Sequence, residues 1–171
     1  LPIYLDEFMR NIILFTIILS LYACSSSENG VYKKSSEVSN SLKGNPPSPW
    51  IEVPTEGSDL ALQNAKTKSY FLFNSACRKF EGSNLNALNS SILTGLEDLN
   101  FIEKKNSFYQ GREALEVLAS GKLDGIERFF RIITIQKNNC IYDFVLISTS
   151  LKNTETDTPA LKSFLERIVL K

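Results

Sequence analysis

Histidine is missing from all 171 residues of the chain. That excludes Ser-His-Asp and Cys-His catalysis, histidine-ligated zinc and histidine general-base chemistry. Neither sign of charge is in excess. Nineteen Lys and Arg balance nineteen Asp and Glu, so electrostatics makes no case for a nucleic acid or another polyanion as partner. The three cysteines include no C-x-x-C pair, which argues against a catalytic redox role. No phosphate loop, zinc-ligand spacing or nucleophile elbow occurs either. The sequence thus offers no recognisable catalytic set, zinc-ligand spacing or cofactor motif. What is present, 43% hydrophobic and 22% charged residues with eight Gly and six Pro, suffices for one compact domain plus a less ordered segment.

The less ordered part comes first. Met9-Arg10-Asn11 precedes the apolar run Ile12 to Leu19, and Ser20-Leu21-Tyr22-Ala23-Cys24 follows it. A charged start, a short apolar stretch and small residues before a cleavage point form a secretory signal over residues 1–23. The run falls short of the roughly 20 residues that a membrane span needs. Asp6 and Glu7 do not suit the charged head of a signal, so Leu1 to Phe8 read as an upstream start. Leu21-Tyr22-Ala23-Cys24 resembles the lipobox of bacterial lipoproteins. That resemblance implies a diacylglycerol thioether on Cys24, cleavage just before it, and a membrane partner through the lipid. Ser25 and Ser26 lack the aspartate that retains enteric lipoproteins at the inner membrane. The expected address is therefore the cell envelope, at the periplasmic face of the outer membrane. An uncleaved anchor, or an ordinary signal with a chance cysteine, is the alternative.

Residues 24–49 are rich in Ser, Asn, Lys and Gly and end in Asn45-Pro46-Pro47-Ser48-Pro49. Fixed φ angles and missing donors exclude helix and central strand there. This composition predicts a disordered tether, stiffer towards its prolines.

The domain is expected over residues 50–171. Trp50-Ile51-Glu52-Val53, Asp59 to Asn64 and Lys68 to Ala76 read as strands, the last dense enough in aromatics to be covered on both faces. Leu85, Leu88, Ile92, Leu96 and Leu99 then step by three and four, predicting an amphipathic helix of about four turns capped by Ser83 or Asn84. Strand-like runs follow at Phe101–Tyr109, Arg112–Ser120, Ile126–Gln136 and Ile141–Ser150. Gln110-Gly111, Gly121 to Gly125 and Lys137-Asn138-Asn139 are the turns between them. Thr158-Pro159 reads as an N-cap with proline at the first helical position, opening a terminal helix with Leu161, Phe164, Leu165, Ile168 and Val169 on one stripe. Short connections between successive strands imply an α+β fold, an antiparallel sheet of about six to seven strands packed with two helices. This order, with the stretch Gly121 to Gly125, the hairpin through Cys140-Ile141-Tyr142-Asp143-Phe144 and the terminal helix, resembles the PsbP-like superfamily. The resemblance implies scaffold or binding roles, not an activity.

Four sets of side chains merit attention. With Cys24 lipidated, Cys77 and Cys140 remain to form a disulfide in an oxidising compartment, the alternative being two buried thiols. Asp143 lies in an apolar strand, where a carboxylate needs a partner. It is either a ligand or acid group in a pocket, or a structural group held by backbone amides or by Arg78, Arg112 or Arg131. Arg128-Phe129-Phe130-Arg131 reads as a solvated or ion-paired strand face, and Glu113 and Glu116 have no assigned role. Together these features favour a non-enzymatic envelope lipoprotein whose domain binds a protein partner or assists assembly. The alternative is a small-ligand carrier with an aromatic pocket between sheet and helix.

Overall fold

The computed structural model describes residues 45–77, 84–168 and 170. The signal, Cys24, the tether before Asn45, Arg78 and Ser83 lie outside the described residues. Seven strands form one antiparallel sheet: β1 (Trp50–Glu52), β2 (Leu60–Asn64), β3 (Tyr70–Cys77), β4 (Glu97–Tyr109), β5 (Arg112–Leu123), β6 (Ile126–Lys137) and β7 (Cys140–Ser148). Helix α1 (Leu85–Ile92) joins β3 to β4, and α2 (Leu151–Arg167) closes the chain. The sheet order is β1-β2-β3-β7-β6-β5-β4. Among the described residues no helix is long and apolar enough to cross a membrane.

Strand alternation divides the core into two layers. Phe71, Phe73, Ile133, Ile135, Tyr142, Phe144 and Leu146 face α2, which buries Leu161, Phe164 and Leu165 against them. Phe164 meets the Trp50 ring edge-on at 5.3 Å and the Phe71 ring at 4.9 Å. On the opposite face Leu115, Val117, Ala119, Phe130, Ile132 and Val145 pack beneath α1 with Leu93. Polar bonds fix the position of α2 on the sheet. The buried Asp157 carboxylate accepts from Asn64 Nδ2 at 2.8 Å and from Thr67 Oγ1 at 2.6 Å. Gln110 Nε2 donates to the Leu165 and Ile168 carbonyls at 2.8 and 2.9 Å, satisfying acceptors that the helix end leaves open.

Several elements differ from their sequence expectation. Helix α1 stops at Ile92, not Leu99: Leu93 is its C-cap, and Gly95 takes a φ of +93° that terminates the helix. Leu96 therefore lies in the turn and Leu99 in β4. Helix α2 starts at Leu151, with the Ser150 hydroxyl accepting from the Asn153 amide at 3.2 Å. Thr158-Pro159 is inside it, and the Thr158 hydroxyl donates back to the Thr154 carbonyl at 2.7 Å. Gly121 belongs to β5, not to a turn. A Cβ there would stand 3.2 Å from that of Leu96, so close packing, not positive φ, explains the glycine. The turn is Asp124-Gly125, with φ of 52° and 75°. Asn45 to Pro49 is fastened to the domain: Arg167 Nη2 donates to the Asn45 carbonyl, and the Trp50 and Ala65 amides to those of Pro47 and Pro49.

Candidate partner-binding surface

On the α1 face, Asp143 sits between its registered neighbours Asn74 and Thr134. Its partner is the Thr134 hydroxyl, which donates to Oδ1 at 2.9 Å; among the described residues, which do not include Arg78, no arginine holds it. Asn89 of α1 donates to the same hydroxyl at 3.1 Å, so a three-residue chain links α1 through β6 to β7. Burial pushes the Asp143 carboxyl up to about 6, partly opposed by the Thr134 hydrogen bond. The buried Asn74 Oδ1 beside it has no hydrogen-bond partner.

The pH dependence follows from the sign of that shift. The folded value lies above the roughly 3.9 of an unfolded aspartate, so folding is favoured by the protonated form. That contribution is complete below about pH 4 and is lost as pH rises through 6. Asp143→Asn supplies a permanently neutral group whose Nδ2 can reach Asn74 across the strand pair. We expect it to stabilise the protein by about 1–2 kcal/mol at pH 7.5 and by almost nothing at pH 4. Thermal melts at the two pH values check this; an equal shift at both would refute it.

On the α2 face, beyond the edge of the helix, a second polar cluster is buried between β5 and β6. Arg131 Nη1 donates to Glu116 Oε1 at 2.6 Å, and both side chains are under 10% exposed. The Tyr109 hydroxyl donates to Glu116 Oε2 at 3.1 Å. Glu103 Oε2 lies 3.6 Å from Arg131 Nη1, and Lys105 Nζ lies 3.8 Å from Glu116. Burial pushes the Tyr109 hydroxyl up to about 12, assisted by the Glu116 charge. The sequence named Glu116 and Arg131 separately but not as a pair. Glu116, a lone carboxylate between Leu115 and Val117, carries the same signal that singled out Asp143.

The other expected residues lie elsewhere. Cys77 and Cys140 are registered partners on β3 and β7 and are joined by a disulfide. They stand at the end of the ladder between two inner strands of the sheet. Arg112 is exposed at the start of β5. It lines a shallow cavity of about 340 Å³ with Leu85, Glu113, Gln136, Lys137, Asn138 and Asn139. That cavity contains neither an aromatic side chain nor Asp143, so it is not the aromatic pocket a small-ligand carrier requires.

Apolar surface is concentrated instead at one end of the sheet. Two register shifts, between Glu97 and Asn100 and between Phe101 and Glu103, bulge the first half of β4. Asp98 takes a φ of 50° there and is tied to Lys122 Nζ at 2.6 Å. Leu99, Phe101 and Ile102 are 38–48% exposed, and Leu123 and Ile126 at the neighbouring β5–β6 turn are 44% and 54% exposed. Bulges blunt strand addition, so what this region offers is side chains. Large apolar side chains left exposed on neighbouring strands mark interaction sites.

No protein-family model and no curated protein matches the sequence. Solved structures do match. PA94 of Pseudomonas aeruginosa, a protein of unknown function, is 11% identical over 75% of this chain and 85% of its own, with a TM-score of 0.53. The cyanobacterial PsbP (CyanoP) of Synechocystis sp. PCC 6803 is 11% identical over 73% of this chain and 84% of its own, with a TM-score of 0.51. The Ran-binding protein Mog1p of Saccharomyces cerevisiae is 12% identical, covering 71% and 84%, with a TM-score of 0.48. The architecture of the described residues, a seven-stranded antiparallel sheet with a helix on each face, is accordingly the α+β fold of the PsbP-like proteins.

Proposed function

We propose that this chain is a non-enzymatic envelope lipoprotein, held to the membrane through Cys24, whose domain binds a protein partner or assists assembly. The observation that carries the binding role is the exposed apolar cluster of Leu99, Phe101, Ile102, Leu123 and Ile126 on a domain whose own core is closed. The anchor rests on the lipobox-like Leu21-Tyr22-Ala23-Cys24, and the periplasmic face of the outer membrane is the address that fits it. Nucleic acid is not the partner, since the chain has no net charge.

The reading is tested in the native envelope with a photo-crosslinking side chain placed at Phe101, Leu123 or Ile126, and at Lys162 on the exposed side of α2 as the control. Discrete adducts from the first three positions are expected, those from Leu123 and Ile126 being abolished by Phe101→Glu with the melting temperature unchanged. Equal labelling from Lys162 would overturn the binding surface. Intact mass of the extracted protein tests the anchor: a lipid-sized increment on a chain starting at Cys24 is expected, and an unprocessed mass would refute it.

A further inference from the structure

The second half of β4 differs from the first. From Glu103 to Tyr109 it runs in unbroken register with Leu118 to Arg112 of β5. Its outer edge pairs with no other described strand. The two-residue turn Gln110-Gly111, with φ of 51° and 72°, fixes which backbone groups face outward. Tyr109 and Arg112 flank such a turn and exchange both of their hydrogen bonds. Alternation then directs the N–H and C=O of Ser107, Lys105 and Glu103 inward to β5, and those of Phe108, Asn106 and Lys104 outward. All three outward residues are exposed, Phe108 at 72%.

We infer that this edge pairs with the same edge of a second copy, two antiparallel β4 strands meeting about a two-fold axis at Asn106. The sequence Glu103-Lys104-Lys105-Asn106-Ser107-Phe108-Tyr109 is self-complementary in that register. Asn106 lies opposite Asn106 of the other copy, Lys104 opposite Phe108, Lys105 opposite Ser107 and Glu103 opposite Tyr109. No like charges meet, and the Lys104 stem covers the exposed Phe108 ring. All three outward residues of each copy engage their backbone groups. Moving the axis to Lys104 or Lys105 sets lysine against lysine and carries the pairing into the bulge or the turn. The contact is isologous and closed, as a two-fold dimer requires. It uses backbone edges where the apolar cluster uses side chains, and it stands independently of the partner-binding reading.

Oxidative crosslinking of the full chain in mild detergent tests the register. Asn106→Cys should form a disulfide-linked dimer above the level of the parent chain, because only position 106 faces itself. Lys104→Cys and Phe108→Cys should each fail alone and crosslink when mixed. Asn106→Pro removes an outward N–H at an edge, where proline is tolerated. It should weaken association at least about tenfold by sedimentation. A parent chain that is monomeric at about 0.1 mM, or Lys104→Cys crosslinking alone as well as Asn106→Cys, would overturn the inference. The Asn106 and Phe108 variants leave the residues of the apolar cluster and their contacts unchanged, whereas Lys104 Nζ lies 5.8 Å from the Phe101 ring centroid. Failure of the Asn106 variants therefore leaves the partner reading to its own test.

Discussion

Arg131→Met should destabilise the domain by about 3–5 kcal/mol, and Glu116→Leu combined with Arg131→Met should recover most of that loss. The Arg131–Glu116 contact is 2.6 Å long and its carboxylate is 2% exposed. Removing the guanidinium leaves a buried anion with only the Tyr109 hydroxyl at 3.1 Å and Lys105 at 3.8 Å to replace it. Coulombic attraction between two desolvated charges rarely exceeds what desolvation costs them. An intact pair therefore contributes little net stability, whereas a broken pair costs a great deal. Arg131 Nε, buried without a hydrogen-bond partner, adds to the cost of keeping this residue. Replacing both charges by apolar groups of similar volume removes the desolvation term and leaves Tyr109 to turn to solvent. Denaturant melts of the parent, the two single variants and the double variant form the cycle that measures this. A single-variant loss below about 1 kcal/mol would show that Lys105 and Glu103 already compensate each charge.

That pair also marks where sequence reading reached its limit. Turn chemistry is local, and the place of each turn was legible. Gln110-Gly111 is the expected turn, while those expected over Gly121 to Gly125 and Lys137 to Asn139 contract to Asp124-Gly125 and Asn138-Asn139, all at positive φ, which suits their residue types. The three turns set the β4–β7 meander, and with it the sheet. Competing local signals were read less well. Thr158-Pro159 has the form of a helix start, yet Ser150 caps α2 two turns earlier, because a proline within the helix is tolerated where packing of Leu161, Phe164 and Leu165 holds the rest. The leucine stripe ran past α1 because Leu96 and Leu99 happen to continue its spacing; the break at Gly95 had to outweigh it. Partners were not legible at all. Asp143 and Glu116 are each a carboxylate in an apolar strand, and only the register of β5, β6 and β7 gives one a threonine and the other an arginine. The partner surface eluded the sequence for the same reason. Leu99 and Phe101 alternate with polar residues as core residues do, and the two bulges that expose them depend on pairing with β5.

Replacing both Cys77 and Cys140 by serine should lower stability by about 4 kcal/mol, a melting-temperature drop of about 10–15 °C, with the secondary structure retained. The bridge spans a sequence separation of 63 residues and encloses α1, β4, β5 and β6. In the unfolded chain it removes the freedom of that whole loop, which is where most of its effect arises. In the folded chain it has little to do, because Cys77 and Cys140 end an eight-pair ladder that already holds β3 against β7. Reduction of the parent and the double serine variant should therefore melt together. A drop of less than about 2 °C would mean that the unfolded chain retains structure across this loop. The size of the effect bears on where the protein can work. Domains of this size are stable by only about 5–15 kcal/mol in total, so the reduced chain would be marginal at growth temperature and the oxidised chain secure. The bridge thus widens the stability margin in an oxidising compartment, the kind of compartment to which the proposed export and anchoring at Cys24 would deliver the chain.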